Sequence, residues 1–334
     1  MPSGYPSPTD RKPTRRAGLL ALGLLGLFAG LAGCAVGPDW AGVGVDLPQS
    51  YLRDPTPTHP RSDLTRWWVG FRDPQLDRMI VDAVAGNLDV AAAKARIREA
   101  RALRHEEVGG LFPALEGSSS AIRSKTGTSA GGTGAVGSLY RGGFDAAWEI
   151  DLFGGQSRSV EAATRGLEAA DADLEAVLLT LVGDVASNYV ELRGHQARIA
   201  LARRTAAAQR EIAGLTRSKF DAGSSSEVDV AKATALAAST EAGIPSLEIS
   251  RAVAVHRLGV LIGRAPGDVA LRLEHSRGIP AQRTTLRPGL PAELLSRRPD
   301  VAAAERRLAR STAEICVAEA ALYPSVSLTV SLST

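Results

Sequence analysis

At 334 residues the chain is long enough for one large domain or two ordinary ones. Aromatic residues make up only 4% while alanine and glycine abound, a composition suited to long, closely packed helices rather than a compact aromatic core. The net charge of +3 lies wholly in residues 1–33, where Arg11, Lys12, Arg15 and Arg16 oppose Asp10 alone; the neutral remainder argues against a nucleic-acid footprint.

That basic cluster opens "RKPTRRAGLLALGLLGLFAGLAGC", a positive start, an apolar stretch from Ala17 to Ala32, and small residues before Cys34. This is the layout of a secretory signal over residues 1–33. A retained membrane anchor is the alternative, but a spanning helix wants about 20 apolar residues. The "LAGC" ending resembles a bacterial lipobox, in which cleavage exposes Cys34 for lipid attachment. Two or more acyl chains anchor stably where one binds only marginally. The plainer reading is a signal peptide that happens to end beside a cysteine. Ala35, in place of an aspartate, favours sorting to the outer membrane. The one other cysteine, Cys316, is expected to be a small packing residue.

Residues 34–66 are rich in proline, glycine and threonine and read as an extended tether. Helical signals begin at Asp73, a cap, and Pro74, suited to a first turn, with Leu76, Ile80 and Val84 as an apolar stripe. Gly86 or Asn87 ends that helix, and a second runs up to the break at Pro113. Strands are expected over about 113–151: a weak one near Leu115–Ser124, then "YRGGFDAAWEIDLFGG". There Phe144, Ala146, Trp148 and Ile150 alternate with Asp145, Ala147, Glu149 and Asp151, so one face could meet lipid and the other water. A soluble two-stranded ribbon is the alternative.

From Phe153 to Ala222 no proline interrupts a pattern that would give about 100 Å of helix. Val160, Ala163, Leu167, Ala170, Leu174, Val177 and Leu181 form a coiled-coil seam. It then steps to Val185 and Tyr189, a stutter that locally unwinds a supercoil. The turn "KFDAGSSSEVDV" offers Gly223 for a left-handed helix end, with Ser224 and Glu227 at capping-box spacing for the returning helix. That helix is expected to reach Gly263, with a kink or break at Pro245. Together, 153–263 form a long helical hairpin followed by a linker, 264–288.

The chain also matches itself without gaps at an offset of 211. "DVAAAKARIREARALRHEEVGGLFPALEG" from Asp89 aligns with "DVAAAERRLARSTAEICVAEAALYPSVSL" from Asp300, nine of 29 positions being identical. Residues 67–288 thus read as a first repeat and 289–334 as the start of a second, ending within its first strand, "VSLTVSLS". By that measure about 140 residues of the second repeat are expected to be missing, and the last strand to have no partner following it.

These segments resemble the outer-membrane efflux channel lipoproteins, the TolC-type outer membrane factors of tripartite RND-type pumps. The residues that carry the resemblance are "GCAVGPDW" (33–40), "WWVGFRDPQLD" (67–77), "ARIREARA" (95–102), "WEIDLFGG", "VEAA" (160–163), "FDAGSSSEVDV" and "LLSRRPDVAAAERRL" (294–308). The resemblance implies a mainly α fold with transmembrane β-strands. A helical hairpin contributes to an α-barrel tube, and four strands from each protomer of a homotrimer close one β-barrel. It implies a passive conduit for drugs or other small molecules, joined by a periplasmic adaptor to an inner-membrane transporter. The protein would be lipid-anchored at Cys34 in the outer membrane of a Gram-negative cell and extend into the periplasm. It places the hairpin tip against the adaptor, with Lys219, Gly223, Ser226 and Asp229 as contact candidates. Ordinary capping and turn chemistry is the alternative role for those residues. The acidic gate of the family's second hairpin has no counterpart here. With three strands per protomer, a trimer would leave unpaired edges in lipid, each unsatisfied backbone group costing several kcal/mol.

Nothing points to catalysis. His59, His105, His195, His256 and His275 are scattered without metal-ligand spacing, and no phosphate loop or nucleophile elbow occurs. "GGTGAVG" (131–137) reads as a flexible loop, and Glu149 and Asp151 as carboxylates on a wet strand face. No enzyme activity, metal or cofactor is expected. The alternatives to a channel are a non-conducting periplasmic coiled-coil lipoprotein and a nonfunctional truncated remnant. The exported cargo is not legible.

Overall fold

The computed structural model describes residues 36–44, 66–125, 136–275, 277–281 and 291–334. The signal segment 1–33, Cys34, most of the tether, residues 126–135 and most of the linker's second half lie outside them. The chain divides into two compact units. Described residues of the first lie within Met1–Val43, Ala100–Leu167 and Arg306–Thr334; those of the second lie within Gly44–Glu99 and Glu168–Glu305.

The described residues form eight helical segments besides the strands. A 3-10 turn, Trp67–Phe71, precedes α1 (Pro74–Gly86) and α2 (Leu88–Gly109). The long helices are α3 (Gly155–Asp221) and α4 (Glu227–Ile262), followed by α5 (Pro266–Arg272), α6 (Pro291–Ser296) and α7 (Pro299–Ala320). The linker expected over 264–288 therefore holds a helix, α5, which starts with proline at its first turn and covers Val269.

The first unit contains β1 (Ala114–Lys125), β2 (Val136–Ile150) and β3 (Val326–Ser333), ordered β1-β2-β3 with both pairings antiparallel. The final strand differs from expectation: it pairs with β2, from Gly143↔Ser333 to Ile150↔Val326. A lone strand would leave its backbone groups unsatisfied, and β2 offers an edge with the same two-residue alternation of apolar and polar side chains. In this unit α3 has neighbours on two sides. Arg104 Nε on α2 donates to Thr164 Oγ1 at 3.0 Å, and Gly166 faces Arg310 of α7. Double coverage explains why Ala162 is the buried position here, one residue off the expected Ala163; in the second unit Ala169 is buried in place of the expected Ala170.

The second unit holds an apolar core. Leu76, Met79, Ile80 and Ala83 of α1 pack with Leu181, Val185, Tyr189 and Leu192 of α3 and with Leu258 and Ile262 of α4. Each large side chain there contributes roughly 1.5–3 kcal/mol by leaving water. The stuttered seam is buried in this unit as written, at Leu181, Val185 and Tyr189. Asp73 caps α1, accepting from the Gln75 and Leu76 amides at 2.9 and 3.4 Å. Asn87 serves two helices at once. Its Oδ1 accepts from the Asp89 and Val90 amides at the start of α2, and its Nδ2 donates to Leu261 O at the end of α4.

The hairpin is antiparallel, with Arg203 paired to Glu248 and Arg210 to Glu241, seven residues apart on each helix. Such exposed pairs define register more than they add stability. Ala206 and Ala237 on the facing sides are fully covered and let the helices approach closely. Of the kink or break expected at Pro245, the break does not occur, and α4 runs through it. Proline removes one hydrogen bond and crowds the preceding turn, at a cost of about 3 kcal/mol. The cross-helix pairs on both sides of Pro245, and the buried Ala237 and Ala254, hold the helix continuous.

Local structure recurs at the offset seen in the sequence. Helices α2 and α7 each have 22 residues, with starts and ends 211 positions apart. Their exits share one turn: Leu111 N to Val108 O and Phe112 N to Gly109 O, then Leu322 N to Glu319 O and Tyr323 N to Ala320 O.

Candidate functional site: a two-faced sheet and a capped hairpin tip

The sheet has no hydrophobic core beneath it. The paired positions put Leu115 and Gly117 of β1, Phe144, Ala146, Trp148 and Ile150 of β2, and Val326, Leu328, Val330 and Leu332 of β3 on one face. The other face carries Glu116, Asp145 and Glu149 with Ser327, Thr329, Ser331 and Ser333, and toward the loop end the exposed pair Ile122 and Leu139. On the apolar face Leu115, Phe144, Leu328, Val330 and Leu332 all remain exposed. A soluble sheet buries its apolar face, and none of the described residues covers this one. Rings gather where the strands meet the helices: Phe153 stacks on Tyr323 at 4.7 Å, and Trp148 Nε1 donates to Leu111 O at 3.1 Å. No described helix is long and apolar enough to cross a membrane.

At the hairpin tip all four candidate residues lie together. Lys219 occupies the last turn of α3, where a cation complements the helix dipole, and its carbonyl accepts from Ser224 N at 2.8 Å and Ser224 Oγ at 3.0 Å. Gly223 N donates to Phe220 O at 2.8 Å, completing a Schellman end. Gly223 has φ +77°, a left-handed conformation that glycine adopts without penalty. The capping box belongs to Ser226 and Asp229, two residues beyond the expected Ser224 and Glu227. Ser224 is engaged in closing α3, which leaves Ser226 as the first residue free to open α4. Ser226 Oγ donates to Asp229 Oδ2 at 2.6 Å and accepts from Asp229 N at 3.2 Å. Hydrogen bonds from the Ser226 side chain and backbone hold the Asp229 carboxyl below its ordinary value. The tip is thus a pre-ordered turn, with Ile212 and Leu215 on α3 and Val228 and Leu236 on α4 left exposed near it.

Cys34 lies outside the described residues, but the segment shortly after it is docked on the first unit. Val36 N donates to Phe153 O at 3.2 Å, and Arg158 pairs with Asp39 at 2.6 Å while also holding Glu161 at 2.7 Å. Gly37, at φ +94°, sits against the buried Cys316, and a Cβ there would come within 2.5 Å of the sulfur. Cys316 is therefore a packing residue with a specific task, receiving the post-cysteine segment.

The sequence reading missed a buried polar network in the second unit. Arg193 is wholly covered; its Nη1 donates to Gln196 Oε1 at 2.7 Å and His275 O at 2.9 Å. Its Nη2 donates to Gln75 Oε1 at 2.7 Å and the Tyr189 hydroxyl at 3.2 Å. Tyr189 donates in turn to Asp73 Oδ2 at 2.6 Å, and burial followed by that bond pushes its phenol up to about 12. The signal was present in the sequence, since Arg193 and Gln196 continue the apolar seam at its own spacing. Among the described residues no cluster of side chains could hold a metal ion.

Comparison with known proteins agrees with this geometry. Residues 79–264 match the family described as "Outer membrane efflux protein". Nodulation protein T of Rhizobium leguminosarum bv. trifolii is 35% identical over 312 residues, covering 91% of this chain and 65% of that protein. The pyoverdine export outer membrane protein OpmQ of Pseudomonas aeruginosa is 32% identical, with 91% and 65% covered. The chain thus spans about two thirds of the length of these curated relatives. Among solved structures, the outer-membrane channel OprN superposes with a TM-score of 0.79 at 38% identity, over 89% of this chain and 66% of that one. CusC follows the same course, with a TM-score of 0.77 at 25% identity over 90% of this chain and 68% of that one. The fold is that of the TolC-type channels, mainly helical with a small share of strand. With the family match extending over more than half its length, this chain belongs to the outer membrane efflux protein family.

Proposed function

We propose that this protein is a channel subunit of a tripartite efflux system, forming part of the wall of a passive conduit across the outer membrane. One observation carries the reading: a three-stranded sheet with an apolar face that no described residue covers, opposite a face bearing the carboxylates and hydroxyls. Lipid on the first face and water on the second satisfy both. Among the described residues the outer edges of β1 and β3 have no strand partner, and lipid cannot solvate their backbone groups, which favours completion by strands beyond these three in a homotrimer.

The hairpin tip is the surface for a periplasmic adaptor, itself linked to an inner-membrane transporter. Lys219, Gly223, Ser226 and Asp229 present a turn ordered before contact, which reduces the entropy lost on docking. Lipid attached at Cys34 anchors the amino end, and the latch at Val36, Gly37 and Asp39 ties that anchor to the first unit. The cargo is a small molecule chosen by the transporter.

The test is fractionation of cells expressing the protein, with the mass of the detergent-solubilised species. Outer-membrane recovery and a trimeric mass are expected. A monomer released by removing the lipid anchor would contradict the proposal.

A further inference from the structure

The apolar face of the sheet carries charge at one end only. Along β1 that face runs from Leu115 through Gly117, Ser119 and Ala121 to Arg123 and Lys125, which pair with Ser138 and Val136 of β2. Tyr140, 74% exposed, stands beside Ala121 on the same face. All three carboxylates of the strands, Glu116, Asp145 and Glu149, are on the opposite face, as is Arg141. Residues 126–135, "TGTSAGGTGA", contain no carboxylate either. Arg123 and Lys125 therefore share a face on which this part of the chain supplies no counter-charge.

Their height on the sheet identifies what does. The ten steps from Leu115 to Lys125 span about 34 Å at roughly 3.4 Å each, or about 26 Å of height at a strand tilt of roughly 40°. That is about the thickness of the apolar band of a membrane barrel, roughly 25 Å. The two cations stand at its rim, beyond the ring of Tyr140, where long basic side chains extend into the headgroup layer.

Building on the channel reading above, we infer that Arg123 and Lys125 bind the phosphate groups of lipid headgroups in the leaflet at the loop end of the sheet. A phosphate takes charge-assisted hydrogen bonds from guanidinium and ammonium alike. Basic groups beside anionic headgroups contribute appreciably per residue. Neutral headgroups would leave both cations without a counter-ion.

The experiment uses the purified full chain in neutral detergent, titrated with lipid A bearing two phosphates or with its dephosphorylated form. Retained lipid is read by native mass spectrometry. Flotation with vesicles is measured first on the unaltered protein and on each variant. The unaltered protein is expected to prefer the phosphorylated lipid by about tenfold or more. The double variant Arg123→Gln, Lys125→Gln is expected to lose that preference while still floating. Arg141→Gln, on the opposite face, keeps it, and millimolar inorganic phosphate does not displace the lipid. An undiminished preference in the double variant, an equal loss with Arg141→Gln, or displacement by inorganic phosphate overturns the inference and leaves the channel reading standing. Failure of the unaltered protein to float overturns both.

Discussion

Arg193 occupies a position where an apolar side chain would be expected, on the buried seam of α3, with its charge met by two amide oxygens, a carbonyl and a phenol. Removing any one of these leaves a covered polar group without its partner, which is costlier than never having made the bond. Tyr189 gives this network a measurable signature. Its phenol titrates at an ordinary 10.0 in the unfolded chain and about 12 in the folded one. Below pH 10 both states keep the proton and the group adds no pH dependence. Between these values only the unfolded chain releases it, so stability falls by about 1.4 kcal/mol per pH unit. Denaturation of the solubilised protein at pH 10 and 11.5 is expected to show this decline, and Tyr189→Phe to remove that part of it. Equal slopes in the two proteins would contradict the network as described. At this scale the sequence was informative where backbone chemistry is local. Gly223 and the Asp73 cap were legible because glycine and aspartate act within a turn. Arg193 was not recognised, since two of its four partners, Gln75 and His275, lie more than 75 residues away in the chain.

Elements were read more reliably than their ends. Helices α2 and α7, the long hairpin and β2 follow directly from period, proline and glycine. The capping box moved by two residues because Ser224 through Ser226 are three similar candidates, and only the closure of α3 selects among them. Pro245 does not break α4 because its local cost is outweighed by packing on both sides of it. Strand β3 was read correctly in itself and wrongly as unpaired, since pairing is a non-local property. The sheet's two faces make a direct prediction. Val330→Arg, on the apolar face beside Ala146, is expected to destabilise the membrane-inserted protein by about 2–4 kcal/mol. Ser331→Arg, on the opposite face beside Asp145, is expected to have little effect. Urea titration of vesicle-reconstituted protein measures both. A similar loss in the two variants would mean that the faces are not divided between lipid and water.

For the molecule as a whole, composition, signal layout and ordered motifs pointed to the family before any coordinates, and the match over residues 79–264 establishes it. The central claim is that copies of this protein surround a water-filled passage through the outer membrane. Single-channel recording in planar bilayers tests it most directly. Purified protein is expected to produce discrete, ohmic conductance steps that Val330→Arg makes rarer and Ser331→Arg does not. Bilayers that stay electrically silent, with the protein shown to be inserted, would contradict it.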